Sequence, residues 1–364
     1  MNFIYEMQLF LLNLRNNMFM ASSERIMLFD SWIRQSENIV IVAHLHPDGD
    51  AVGSVTAMGS FLRECRRRNA HIILPDRAPA ALSFLCDKQD IIDGTDRAAK
   101  ILISGADLII ALDFNSFKRT DTLEGEFRTA HGRKVLIDHH PEPATGEFDL
   151  IFSRTNVSSA SELLFTILTG MPGIDGDASK LPSDCARSLM TGMTTDTNNF
   201  ANSVFPSTLD MASRLIAAGV DRDGIIERIY NSGREEKLRA WSHLLDKELR
   251  IMDCGVAYMV LRQETKDAFG LQDGETDGLV NIPLQIGKVR VSALLTEEDG
   301  HFRISLRSKK ELAINTLARD CFHGGGHPQA SGGRILIPDD IPDRNAVNGY
   351  FESVAARFMQ TIQI

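Results

Sequence analysis

Residues Asn38-Ile39-Val40-Ile41-Val42-Ala43 form an unbroken apolar run rich in β-branched side chains. Such a run predicts a strand buried on both faces, which occurs where helices cover both sides of a parallel sheet. Two more runs of the same kind follow, Leu108–Leu112 and Lys134–Ile137, with shorter strands expected at His71–Leu74 and Phe148–Phe152. Between them the periodicity turns helical. Val55, Met58, Leu62 and Cys65 recur at spacings of three and four, and helical stretches are expected near 79–86 and 96–104. Strands alternating with helices predict an α/β fold with a parallel, doubly wound sheet.

The three long runs all end in acidic or imidazole residues. The first leads into His44-Leu45-His46-Pro47-Asp48-Gly49-Asp50, the second ends at Asp113, and the third at Asp138-His139-His140. A helix expected over 184–194, started by Ser183, delivers Asp196. Singly, these are ordinary turn and N-cap residues. In a parallel sheet, however, the carboxyl ends of the strands share one edge, where ligands bind. Carboxylates gathered there repel one another unless cations lie between them. Imidazole with carboxylate suits Mn, Zn or Fe, and the oxygen bias favours the harder ions. Two such ions fit the logic of two-metal phosphate hydrolysis.

Ser158–Thr169 reads as a helix capped by Ser158 or Ser159, with Glu162 completing a capping box. The region from Pro206 to Leu249 is helical throughout. Its apolar faces are read as Leu209, Ala212, Leu215 and Ile216, then Ile225, Ile226 and Ile229, then Leu238, Trp241, Leu244 and Leu245. The last third predicts a smaller α/β unit with a mixed sheet, including a hairpin turning at Glu298-Asp299-Gly300. The expected division is 1–20 as an extension without assigned role, 21–205, a helical connector 206–250, and 251–364. In the last part Arg303, Ser305 and Arg307 alternate with Ile304 and Leu306, giving one basic face. Gly324-Gly325-Gly326-His327 follows, a run whose backbone N–H groups could approach a phosphate closely.

A net charge of −10 over 364 residues argues against a broad basic surface for long nucleic acid. The five cysteines are scattered with no Cys-x-x-Cys, as expected in a reducing, cytoplasmic setting without a thiolate zinc site. No apolar run reaches the ~20 residues of a membrane span. Arg66-Arg67-Arg68 is expected as a solvated helix terminus, and His46, His71, His131, His243, His301 and His323 as loop or surface residues.

His44-x-x-x-Asp48-x-Asp50, Asp113, Asp138-His139-His140, Asp196 within Thr195-Asp196-Thr197, and Gly324–His327 stand in the order that resembles a DHH-family phosphoesterase with its associated C-terminal domain. The resemblance covers most of the chain from Asn38 onward. It implies His44, Asp48 and Asp113 on one metal ion and Asp50, Asp113, His139 and Asp196 on the other, with Asp113 bridging. His140 would face the substrate phosphate, so His140 and Asp113 are the candidate catalytic residues, with Asp138 orienting the imidazoles. Arg307, Gly324, Gly325, Gly326 and His327 would bind the nucleotide end. Asn198 departs from the glycine common in relatives, and asparagine tolerates the positive φ expected there. Two Mn2+ ions are the implied cofactor, with Mg2+ or Co2+ as alternatives. The group most resembled acts on short oligoribonucleotides and on 3′-phosphoadenosine 5′-phosphate (pAp). The alternatives are a phosphodiesterase for cyclic dinucleotides or linear products such as pApA, and a non-catalytic nucleotide sensor. The implied partners are short RNA or a small nucleotide, with neither long duplex nor membrane. The oligomeric state is open, with a homodimer among the choices.

Overall fold

The computed structural model describes residues 21–272, 274–309 and 312–362. The 1–20 extension lies outside the described residues. The chain divides into two units between Ser232 and Gly233.

In the first unit, β1 (Ile39–Val42), β2 (Ala70–Leu74), β3 (Ile91–Asp93), β4 (Leu108–Leu112), β5 (Arg133–Asp138) and β6 (Leu150–Ser153) form one sheet in the order β3-β2-β1-β4-β5-β6. Every pairing is parallel. Successive residues serve opposite faces. Ile39, Ile41, Ile110 and Leu112 enter one apolar core, and Val40, Val42, Ile109 and Ala111 enter another. That double burial is why these strands read as continuous apolar runs. The strand order reverses between β1 and β4, which opens a switch point at the carboxyl edge. The three-residue edge strand β3, half-buried throughout, has no such signature and is absent from the sequence reading.

The first core is covered by α1 (Ser23–Gln35), α2 (Gly49–Phe61), α4 (Ala160–Thr169) and α5 (Ser183–Asp196), and the second by α3 (Arg97–Ser104) and the segment 117–129. All of α2 is buried, because it lies between the sheet and α5. Small residues allow the approach. A Cβ at Gly53 would stand 2.8 Å from the Ser188 carbonyl oxygen and 2.9 Å from Gly192, and one at Gly49 would strike Thr195.

Two expectations are corrected here. Arg66 is not solvated: its side chain is 4% exposed, donates to Asp30 at 2.6 Å and stacks on Phe61. Burying the guanidinium is tolerable because Asp30 lies beside it, and removing one partner of such a pair costs about 3–5 kcal/mol. In α6 (Pro206–Ala217) the buried face is Thr208, Met211, Ala212 and Leu215, whereas Leu209 and Ile216 are exposed. The Thr208 hydroxyl fixes that rotation by donating to the buried Glu162 carboxylate at 2.6 Å. Glu162 also accepts from Ser158 N (2.9 Å) and Oγ (2.6 Å), while the cap of α4 is Ser159.

The region 206–250 is shared between the units. α6 and α7 (Arg222–Tyr230) lie in the first, and α8 (Glu235–His243) in the second. On α8 a further expectation is corrected: Leu238 is exposed rather than core-facing. The second unit continues with β7 (Arg250–Ile251), β8 (Val256–Leu261), α9 (Gln263–Phe269), β9 (Val291–Glu298), β10 (His301–Ser308), α10 (Asn315–Cys321), β11 (Gly325–His327), β12 (Ala330–Leu336) and α11 (Val347–Ile362). Its sheet runs β11-β12-β10-β9-β8-β7, parallel only between β8 and β9. The β9–β10 hairpin closes between Glu298 and His301, with Gly300 supplying φ +71°.

Candidate metal centre

The carboxyl edge beside the switch point gathers the expected donors. His44 follows β1, and its Nδ1 lies 2.7 Å from the Leu45 carbonyl oxygen. That bond places a proton on Nδ1, and Nε2 faces Asp113 Oδ2 at 3.6 Å. Asp48 caps α2, its Oδ1 accepting from the N–H groups of Asp50 (3.0 Å) and Ala51 (3.1 Å). Asp48 thus caps a helix, and a carboxylate oxygen of the same side chain lies within 4.8 Å of ligand atoms of His44 and Asp113. Asp50 Oδ2 and Oδ1 accept from Ala160 N (2.6 Å) and Ser161 N (3.0 Å) at the start of α4, where the helix dipole favours negative charge.

Asp113 follows β4 with φ +64°, a left-handed backbone that costs a non-glycine residue about 1–3 kcal/mol. Its Oδ1 is 3.4 Å from His139 Nε2 and 3.8 Å from His140 Nδ1. His139 Nε2 also stands 3.5 Å from Asp196 Oδ2 and 4.0 Å from Asp50 Oδ2. His140 takes a different partner: its Nδ1 is 2.7 Å from Asp138 Oδ1. One donor set therefore comprises His44, Asp48 and Asp113 and a second Asp50, Asp113 and His139, each with its ligand atoms within 4.8 Å, and Asp113 belongs to both.

Electrostatics show what this cluster lacks. Burial drives the Asp50 carboxyl well above its usual range, and the charges of Asp113 and Asp196 add to that. Burial likewise pushes Asp196 up to about 7, with Asp48 and Asp113 adding and His139 opposing. Burial alone would raise Asp113 too, but the imidazoles of His139 and His44 outweigh it and hold that carboxyl well below the usual range. Burial would lower both imidazoles; the surrounding carboxylates, Asp113 foremost, raise them instead. Without cations the cluster must retain protons. Asp113 Oδ1 and Asp138 Oδ2 are moreover buried without a hydrogen bond. Nitrogen and oxygen donors sharing one carboxylate fit divalent cations, which would supply the missing positive charge.

Three supporting residues escape the sequence reading: Gly49 and Gly53, which let α2 meet α5, and Gly192 opposite them. A Cβ at Gly192 would come 2.1 Å from Ser161 Oγ and 2.8 Å from Asp50 Oδ1. The available signal was the spacing of small residues, Gly49-x-x-x-Gly53 and Ser188-x-x-x-Gly192. Asn198 has φ +46° as expected, and Asn199 and Phe200 continue in the same region at +56° and +65°. His46, His71 and His323 pair locally with Asp76, Asp90 and Asp340.

In the second unit β10 alternates as expected, with Phe302, Ile304 and Leu306 buried and Arg303, Ser305 and Arg307 half-buried. Ladder register sets Arg307 opposite Ala330, and Ala330 opposite His327. Arg307 and His327 therefore share one face, two strands apart, and Gly325 and Gly332 lie in the row beside them opposite Ser305. The glycine run is an edge strand rather than an open loop. A Cβ at Gly324 would meet the Gly332 carbonyl oxygen at 1.9 Å and one at Gly326 the Ala330 oxygen at 2.7 Å, so strand packing accounts for both. Only Gly325 faces open space.

The DHH family, N-terminal domain, matches residues 38–193, and the DHHA1 domain matches 254–347. The chain belongs to the DHH family of phosphoesterases. It is 31% identical to a Streptococcus mutans protein named "Probable bifunctional oligoribonuclease and PAP phosphatase NrnA", over 82% of this chain and 90% of that one. It is 28% identical to the Bacillus subtilis protein named bifunctional oligoribonuclease and PAP phosphatase NrnA, over 84% of this chain and 91% of that one. Among solved structures, an exopolyphosphatase-related protein from Bacteroides fragilis superposes with a TM-score of 0.86 at 32% identity, covering 94% of this chain and 98% of that one.

Proposed function

We propose that this chain is a two-metal phosphohydrolase that trims RNAs of a few nucleotides and removes a phosphate from pAp. The observation that carries the reading is the near full-length similarity to two relatives bearing those activities in their names. The donor geometry supports it, since two sets sharing one carboxylate suit hydrolysis of a phosphate ester. His44, Asp48 and Asp113 would hold one ion, and Asp50, Asp113, His139 and Asp196 the other, with Mn2+ the proposed metal. When bound, these ions supply Lewis-acid activation of the phosphate and of the attacking water.

The chain's own residues then position and exchange protons. His140, fixed by Asp138, donates a hydrogen bond to a phosphate oxygen as charge builds on it. The buried carboxylate of Asp50 is held in place by the N–H groups at the start of α4, 4.0 Å from His139 Nε2. Arg307 and His327 bind the nucleotide end, with Gly325 leaving a flat floor beside them. Among the described residues no helix is long and apolar enough to cross a membrane. Together with the proposed substrates and the free cysteines, this fits a cytoplasmic role.

The test is hydrolysis of pAp, a five-nucleotide RNA, pApA, cyclic di-AMP and pyrophosphate with Mn2+ present. The reading expects pAp and the short RNA to give the highest kcat/KM. A preference for cyclic di-AMP or pApA would make the chain a dinucleotide phosphodiesterase, and turnover of none would make it a nucleotide sensor.

A further inference from the structure

α4 begins against the donor Asp50, and the N–H groups of its first turn can be accounted for one by one. Ala160 N and Ser161 N donate to the Asp50 carboxylate at 2.6 Å and 3.0 Å. Glu162 N donates to the Ser159 hydroxyl at 3.0 Å, and Leu163 N to the Ser159 carbonyl at 3.2 Å. In an ordinary capping box the Glu side chain would then reach back to the N–H of the cap residue. Here it reaches one residue further. Glu162 Oε2 accepts from Ser158 N at 2.9 Å, from Ser158 Oγ at 2.6 Å and from Thr208 Oγ1 of α6 at 2.6 Å. Ser158, Ser159, Glu162 and Thr208 are all buried. All three donors are neutral, and Glu162 Oε1 is buried with no hydrogen-bond partner. Burying a carboxyl group with one oxygen unmatched is costly, and Ser159 already caps the helix without it.

We propose that Glu162 is a positioning residue for the metal donor Asp50, an inference that rests on the two-metal reading above. None of its side-chain hydrogen bonds runs to a donor. It acts through the backbone: by holding Ser158 at two atoms it fixes the path of the chain into α4. That path sets where Ala160 N and Ser161 N point, and those two groups hold both oxygens of Asp50. A ligating carboxylate depends in this way on the groups that orient it, which tune affinity without touching the ion. The bond from Thr208 has a different consequence. It ties Glu162 to α6 and fixes the packing of that helix, but it does not reach Ser158 or the start of α4. Stability and donor placement are thereby divided between two bonds to one carboxyl oxygen.

Mn2+ titration of the full chain, followed through the electron paramagnetic resonance of free Mn2+, reads the ions independently of activity. Glu162→Ala should weaken one of the two ions about tenfold or more and leave the other at wild-type affinity, the scale of losing a group that orients a ligand. Ser158→Ala, which keeps the N–H bond and loses the hydroxyl one, should weaken the same ion by a smaller factor. Glu162→Gln puts an amide oxygen where the three donors converge and should restore binding, while its amide nitrogen takes the unpartnered position and lowers Tm. Thr208→Val breaks only the bond to α6, so it should lower Tm and leave both ions unchanged. These last two variants separate positioning from plain stability. Both ions held at wild-type affinity by Glu162→Ala, or by Ser158→Ala should the former not fold, would overturn the inference. So would Thr208→Val losing the ion as readily as Glu162→Ala. A wild type that saturates at one ion contradicts the two-metal reading instead, and the inference then stands or falls on whether Glu162→Ala weakens that ion.

Discussion

Asp113 combines a left-handed backbone, a buried oxygen without a hydrogen bond, and a charge held by two imidazoles. Each is a cost or constraint that metal binding would repay, and together they predict how stability follows pH. Between the ordinary carboxyl range and about 7, folded Asp196 holds a proton that the unfolded chain has lost. Stability of the metal-free protein therefore falls as pH rises through that window, and His44 and His139, both raised, extend the fall to higher pH. Asp113 has the opposite sign, but its contribution is lost only in acid, below the ordinary carboxyl range. Thermal scans in chelator should show Tm falling from about pH 5 to about pH 8, with Mn2+ raising Tm more at the upper end. A Mn2+ effect larger at the acid end would contradict this. His140, bonded to Asp138, carries a separate prediction: His140→Ala should retain bound metal while kcat falls by about 10² to 10³. At this scale the sequence was most legible, because donor chemistry is written in residue type. The hydrogen bonds that orient His44 and Asp50 were not legible, since they run to backbone groups of Leu45 and α4.

Among the elements, α2 and α5 matter most, because their close packing brings Asp50 toward Asp196. Gly192→Ala should cost about 1–3 kcal/mol through overpacking against Ser161 and should also push on Asp50. Calorimetry should show the lower Tm, and metal titration a weakened site; unchanged metal affinity would mean the glycine contact does not position Asp50. The strands buried on both faces were readable because each position was apolar. The face of α6 was not readable: its hydrophobic residues spread round the helix, and the Thr208–Glu162 hydrogen bond chose which side turned inward. Arg66 was misread for a related reason, since its partner Asp30 lies far away in sequence. Gly324 and Gly326 looked like ligand-approach residues, whereas their neighbours are the strand β12.

For the whole molecule, the division of labour between the units is open to test. If the second unit binds the nucleotide end, His327→Ala and Arg307→Ala should lower kcat/KM for pAp and short RNA. Slow hydrolysis of p-nitrophenyl phosphate, which has no nucleotide to bind, should stay nearly unchanged. Equal losses on both kinds of substrate would remove the second unit from substrate recognition. The presence of two units was legible from the change of pattern after the helical region. Their boundary inside that region was not, because helical periodicity continues through Ser232 whichever unit each helix joins. Everything proposed for catalysis depends on one carboxylate serving two ions. The most direct measurement is the Mn2+ content of the full chain at saturation, compared with Asp113→Ala. Two ions per wild-type chain and neither held tightly by the variant is the expected result; saturation at one ion in the wild type, or two in Asp113→Ala, would contradict it.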